Sequence, residues 1–332
     1  LGSPNIASKI WVYGQYDHEV GIRTVTKPGY DASVLRLDNG KFLSIKIDGN
    51  PKQCYINPRE GAIGCFEEAC RNVVCTGAKP IGMLDHLQFG NPNDPEIFWT
   101  FLESLKGLTD FAKDFEIPCV GGKVSLYNET SDGPIKPTPV IGVIGLIDKK
   151  PLKIQKINSG DSLIMIGDTK DELGGSEYSE YIHKFIGGKC PAVDFSESKK
   201  NMNSVLDIIE NELIKSAHDC SKGGLTIAIS ELCMINQIGC NVSLEKIPGE
   251  KLDSDKILFS ESHSRYLLTI ENKNLSKLEE TLKKYGVSYS LIGEFTGDSI
   301  CFSSDSKPII DLSVDKAQKT WFNSLKEMVL HA

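Results

Sequence analysis

Apolar residues recur along this chain with two different periods, and those periods mark out its elements. Ala32, Val34, Leu35 and Leu37, then Phe42, Leu43, Ile45 and Ile47, flank Asn39-Gly40, which predicts two strands and a tight turn over 31–48. Arg59 to Cys75 carries helical spacing, with Ile63, Phe66, Ala69, Cys70, Val73 and Val74 on one side. Gly77 closes that helix and Pro80 forbids its continuation. Asp94-Pro95 supplies an N-cap and a first-turn proline for a second helix. Its stripe of Phe98, Phe101, Leu102, Leu105, Leu108, Ala112 and Phe115 stops before Pro118. Val140 to Ile147 reads as a buried strand, followed by the linker candidate Asp148-Lys149-Lys150-Pro151. Beyond it, Ser162 to Gly167 reads as a strand, with helices near 199–217 and 224–237. The stretches 265–271, 274–285 and 289–295 read strand, helix, strand, and a last helix runs from Asp315 to Val329 with Trp321, Leu325 and Val329 on one face. Strands and helices mix in both halves, so the expectation is an α+β fold in two domains, 1–150 and 151–332.

Composition narrows the class. Two domains suit 332 residues, and 40% hydrophobic with 25% charged residues is the balance of a globular protein. The formal charge of -8 argues against a broad nucleic-acid surface, and no run approaches the roughly 18 apolar residues of a membrane span. Ten cysteines are scattered without a single CxxC pair, which removes zinc-ribbon spacing and points to reduced thiols in a cytoplasmic protein. The chain starts at Leu1 rather than Met, which suits a piece of a longer polypeptide.

Three polar, glycine-bearing segments break the amphipathic order: Lys46 to Pro51, Leu84 to Pro92 and Gly121 to Glu129. Read as loops, they bring backbone amides to a phosphate and carboxylates to magnesium; each also reads as an ordinary turn or cap. Gly122-Lys123 fails as a P-loop, because Ile117 stands at the first glycine position and Val124 at the Ser/Thr position. His218-Asp219-Cys220-Ser221-Lys222 opens a helix whose N-terminus suits an anion, with Asp219 or Ser221 as its cap. Cys220 beside His218 lacks a visible third partner to orient the histidine.

The order of several motifs is specific. Ser3-Pro4-Asn5-Ile6-Ala7-Ser8-Lys9, Asp31-Ala32-Ser33-Val34, Ala69-Cys70-Arg71-Asn72, Asp85-His86-Leu87-Gln88-Phe89-Gly90-Asn91-Pro92, Ser125-Leu126-Tyr127-Asn128-Glu129-Thr130, Gly174-Gly175-Ser176-Glu177-Tyr178 and Phe259-Ser260-Glu261-Ser262 follow one another nearly end to end. In this order they resemble the C-terminal half of PurL-type phosphoribosylformylglycinamidine synthetase subunits. The resemblance implies a PurM-like two-domain unit, with an N-terminal mixed-sheet domain that pairs into a barrel with a partner half and a C-terminal α/β/α domain. It implies an ATP- and Mg2+-dependent ligase of purine biosynthesis that uses glutamine-derived ammonia. The implied partners are an N-terminal synthetase half, a glutaminase subunit and a small PurS-type subunit, with homodimerisation open to the fragment.

Carried over residue by residue, Asp85 and Gly122 match ATP contacts and Ser125 a substrate contact. Lys123 stands where the family often has a magnesium-binding asparagine, and a charged ammonium offers no lone pair for a metal. The catalytic histidine and most magnesium carboxylates belong to the other half, so none is expected here and the isolated chain is expected to be inactive. Asp48, Asn50, Arg71, Asn72, Asp219 and Glu261 echo the first-half site as a degenerate second one. Alternatives are a non-catalytic nucleotide-binding scaffold, or only caps and turn formers.

Overall fold

The computed structural model describes residues 1–330. In chain order the first unit comprises α1 (Ile10–Tyr13), β1 (Thr24–Thr26), β2 (Ser33–Arg36), β3 (Phe42–Asp48), α2 (Pro51–Ile56), α3 (Pro58–Val74), β4 (Lys79–Gln88), α4 (Pro95–Phe115), β5 (Cys119–Ser125), the short pair β6 (Glu129–Thr130) and β7 (Gly133–Pro134), and β8 (Thr138–Ile147). The second contains β9 (Ser162–Ile166), α5 (Phe195–Glu210), β10 (Ser216–Asp219), α6 (Gly224–Asn236), β11 (Cys240–Ser243), α7 (Ser254–Phe259), β12 (Tyr266–Ile270), α8 (Leu275–Tyr285), β13 (Tyr289–Phe295), β14 (Ser299–Ser304), β15 (Lys307–Ser313) and α9 (Val314–Leu330). The first sheet is ordered β1-β2-β3-β8-β4-β5 and the second β10-β12-β9-β13-β11-β14-β15. Both are mixed: β4 and β5 pair in parallel, as do β11 and β14, within otherwise antiparallel ladders.

Helix α3 is the centre of the molecule. The Asn57 side chain accepts from the Arg59 and Glu60 amides, and Pro58 occupies the first turn where its missing N–H costs nothing. Fifteen of its seventeen residues are buried, so it is sandwiched rather than laid on one surface. Along β9, Ile164 and Ile166 face the core shared with α3, whereas Leu163 and Met165 face the core formed with α6 and α9. That alternation places the second sheet between two helical layers, the α/β/α arrangement expected from the resemblance.

Several elements depart from the sequence reading. The helix expected over 199–217 begins earlier, at Phe195, and ends at Glu210; residues 216–219 instead form β10, paired antiparallel with β12. Asp85 and Lys123 lie inside strands rather than in loops, because β5 completes the edge of the first sheet alongside β4. On α4 the buried apolar positions are Leu108 and Phe111, while Phe98 and Leu102 stay exposed. On α9 the chain buries Val314 and Ala317, and Val329 faces outward.

The open face of the first sheet carries Val25, Ile47 and Leu84 as exposed apolar side chains. The N-terminal segment runs back to the second unit. Ser3 Oγ and Asn5 Nδ2 donate to Glu177 at 2.7 and 2.8 Å, and Trp321 Nε1 donates to the Ile6 carbonyl at 2.9 Å.

Candidate functional site

Two polar sites emerge. The first is a ledge at the β4–β5 edge. Asp85 is in register with Gly122, His86 with Lys123 and Gln88 with Ser125. A Cβ on Gly122 would fall 1.8 Å from Asp85 Oδ1, so the missing side chain is what lets that carboxylate lie across the strand. Burial moves the Asp85 carboxyl upward, opposed by backbone N–H groups of Asp85 and Lys123. The strand ends are laced together: the Phe89 amide donates to Ser125 at 3.0 Å, the Tyr127 amide to Gly90 at 2.9 Å, and Asn128 Nδ2 to the Ser125 and Phe89 carbonyls. Asp85 and Gly122 therefore meet side by side on paired strands, whereas Ser125 sits three residues further along β5, opposite Gln88. Lys123 is exposed beside them.

The second site is a cavity of about 250 Å³ between the units, lined by Asp31, Lys46, Asp48, Glu68, Asn72, His218, Asp219, Lys222 and Glu231 among others. Lys46 and Asp48 alternate along β3 and so share the face that looks at α3. Asn72 Nδ2 reaches Asp48 at 3.4 Å and Asp219 at 3.2 Å, and Arg71 Nη2 reaches Asp219 at 3.4 Å. Four of the six echo residues, Asp48, Arg71, Asn72 and Asp219, thus meet. The other two bond elsewhere. Asn50 caps α2 by accepting from the Gln53 amide. Glu261 accepts from the Glu177 and Gly223 amides, both at 2.8 Å. It thereby serves the start of α6, which neither Asp219 nor Ser221 caps.

The cavity also holds residues that the sequence reading did not assign. His218 lies between two carboxylates, with Nδ1 2.8 Å from Asp31 and Nε2 3.2 Å from Glu231. Burial opposes charge on the ring, but Asp31 and Glu231 outweigh it and hold His218 well above the usual imidazole range. Asp31 is correspondingly lowered: burial works against it, and the His218 ring prevails. Lys222 Nζ contacts Glu68 at 3.1 Å, and Lys46 Nζ contacts Asn72 Oδ1 at 3.0 Å. Burial pushes Asp48 up to about 7 and Asp219 up to about 6. Cys220 is fully buried with its thiol pushed up, which removes it as a nucleophile despite the orienting partner that His218 turns out to have.

Comparison with known proteins decides the family. The model of the AIR synthase related protein N-terminal domain matches residues 29–147, and that of the C-terminal domain matches 158–303. The chain belongs to this family. It is similar over 99% of its length, at 42% identity, to the phosphoribosylformylglycinamidine synthase subunit PurL of Methanocaldococcus jannaschii, and over 98%, at 39%, to that of Alkaliphilus metalliredigens. It covers 46% and 44% of those proteins, so the chain spans about half the length of the curated relatives it matches. The structure of T. maritima PurL complexed with FGAR superposes with a TM-score of 0.77 at 19% identity, over 89% of this chain and 49% of that one. The same PurL complexed with ATP gives 0.73 at 19% identity, over 92% and 49%. These likenesses carry the PurM-like fold of the family.

Proposed function

We propose that the chain is the C-terminal half of an ATP-dependent synthetase that converts formylglycinamide ribonucleotide and glutamine-derived ammonia to the amidine. The observation that carries this reading is similarity to PurL subunits along 99% of the chain but only 46% of the relative. On this reading the ledge is the chain's contribution to the working site. Gly122 offers bare backbone to a nucleotide, Asp85 orients it, and Ser125 donates one hydrogen bond to the ribonucleotide substrate. The ledge offers magnesium one carboxylate only, from Asp85, because the Lys123 ammonium has no lone pair to give. The metal ligands and the general base would come from the other half. That half would cover the open face of the first sheet at Val25, Ile47 and Leu84 and close it into a barrel, with glutaminase and PurS-type subunits as ammonia-supplying partners.

Co-expressed with the N-terminal half, the chain should support ammonia-dependent ADP release with formylglycinamide ribonucleotide, and alone it should give none. Turnover by the isolated chain, or none from the pair, removes the reading. In the active pair, Asp85→Asn should raise the KM for ATP and Ser125→Ala chiefly that for the ribonucleotide, by one hydrogen bond of roughly 0.5–1.5 kcal/mol. Lys123→Ala should raise the KM for ATP if the ammonium faces phosphate. Equal, small effects from all three would make the ledge a structural turn.

A further inference from the structure

The cavity between the units resembles a metal-nucleotide site in its carboxylates, yet its own cations occupy it. Five carboxylates line it, from Asp31, Asp48, Glu68, Asp219 and Glu231, and three side-chain cations face them, from Lys46, Lys222 and His218. We propose that this is a cation site filled from within: the Lys46 and Lys222 ammonium groups and the His218 ring supply the positive charge that a divalent metal would supply, so the cavity takes neither magnesium nor a magnesium nucleotide. The proposal concerns this chain's own cavity and stands independently of the synthetase reading.

The geometry argues it three times. Lys222 Nζ lies 3.1 Å from Glu68 Oε1, and Lys46 Nζ lies 3.8 Å from Asp48 Oδ1 while donating to Asn72. Each ammonium is aimed at an oxygen that a metal would use, and neither has a lone pair with which to join a coordination shell. Asp31, His218 and Asp219 do place one donor atom each within 4.8 Å of one another. His218, however, spends both ring nitrogens on carboxylates, Asp31 at 2.8 Å and Glu231 at 3.2 Å, and a ring that donates twice is an imidazolium without a free lone pair. Finally, about 250 Å³ lies below the roughly 300–1,000 Å³ typical of ligand pockets.

Lys46 is held above its usual range because the surrounding carboxylates outweigh burial, Asp48 and Asp219 first among them, and Lys222 likewise by Glu68 and Asp48. Burial, in turn, raises Asp48 and Asp219.

The test titrates the intact chain with MgCl2, MnCl2 and Mg·ADP, reading heat of binding and thermal midpoint at neutral pH. The wild type should show no binding that Asp48→Asn abolishes. Lys222→Met keeps the aliphatic stem and removes the charge; it should gain a Mg2+- or Mn2+-dependent rise in Tm of several degrees, lost again when Asp48→Asn is added. Binding that survives Asp48→Asn but disappears in Asp85→Asn belongs to the ledge, and the lack of any Asp48-dependent part supports the proposal. Wild-type binding of Mg2+ or Mg·ADP that requires Asp48 overturns it, as does a folded Lys222→Met chain indifferent to both metals. Lys46→Met repeats the gain-of-binding test at the other ammonium. Should neither lysine variant fold, the wild-type titration alone decides, since Asp48-dependent binding refutes the proposal and its absence supports it.

Discussion

Asp31→Asn isolates the charge that ties β10 to the start of the first sheet. The Asp31 carboxylate accepts from His218 Nδ1 at 2.8 Å and from the Asp219 amide at 3.0 Å. Its side chain is one-tenth exposed and that of His218 about one-sixth, so solvent screens the pair little. Removing one member of such a pair costs about 3–5 kcal/mol when the other charge is stranded. Here the ring keeps Glu231 at 3.2 Å, the asparagine oxygen can still accept one of the two bonds, and the imidazole can release its proton. The expected loss is therefore smaller, about 1–3 kcal/mol. Its pH dependence identifies the cause. His218 is raised in the folded chain, so its contribution is complete below the unfolded value of about 6.5 and fades as pH rises through the folded pKa. Asp31 is lowered; its contribution is present above about 3.8 and fades only as pH falls through the folded value, so it stays ionised across the test range. Urea unfolding of wild type and variant should then differ most below about pH 6.5 and converge as pH rises through the folded His218 value, and the His218 ring should titrate at lower pH in the variant. A difference that stays constant with pH would assign the cost to packing, and a difference under about 0.3 kcal/mol would refute the charge argument.

Gly122→Ala should displace the Asp85 carboxylate from its cross-strand position at a stability cost of about 1 kcal/mol, since the colliding atom ends a flexible side chain. In the reconstituted synthetase it should raise the KM for ATP, and an unchanged KM would detach Asp85 from nucleotide binding. Burial holds the His263 ring down at about 3, so the folded chain keeps it neutral while the unfolded chain protonates below about 6.5. His263 thus withdraws stability as pH falls from about 6.5, by about 3 kcal/mol at pH 4, and His263→Gln should show a shallower acid decline in urea or thermal unfolding. All ten cysteines are free, seven of them buried. Thiol titration after denaturation without reductant should recover nearly all ten, and a majority found oxidised would contradict the cytoplasmic reading.

The legible parts of the sequence were those in which local chemistry and burial agree. The stripe from Ile63 to Val74, closed by Gly77, announces α3, and Asn39-Gly40 announces the hairpin, where Gly40 adopts a φ of 81°. β10 was not legible, because Ser216-Ala217-His218-Asp219 has no apolar alternation and owes its burial to pairing with Tyr266 to Thr269 of β12. Asp85 and Lys123 read as loop residues since polar side chains on an edge strand look like a break in a strand. Among the candidate site residues, Asp48, Asn72 and Asp219 could be named from motif order. The third partner of His218 could not, because Asp31 lies 187 residues away in the chain.

The same distances explain why the two sites should respond differently to substitution. Asp48, Ile141, Asp85 and Gly122 form one row across β3, β8, β4 and β5, which sets Asp48 and Asp85 two strand spacings apart, about 10 Å. On the Asp48 side, the polar contacts cross between units: Asp31 to His218, Glu68 to Lys222, Asn72 to Asp219, and Glu67 to Ser198 and Ser264. They are buried or half-buried and join the second sheet to α3 and the first sheet, so losing one weakens that joint as well as costing stability. On the Asp85 side, the contacts stay within β4, β5 and their connecting turns, at an edge where Val120 and Val124 remain exposed. Substitutions there leave the joint between the units untouched. Cavity variants should therefore lower unfolding stability along with activity, whereas ledge variants should alter KM at a stability cost of no more than about 1 kcal/mol.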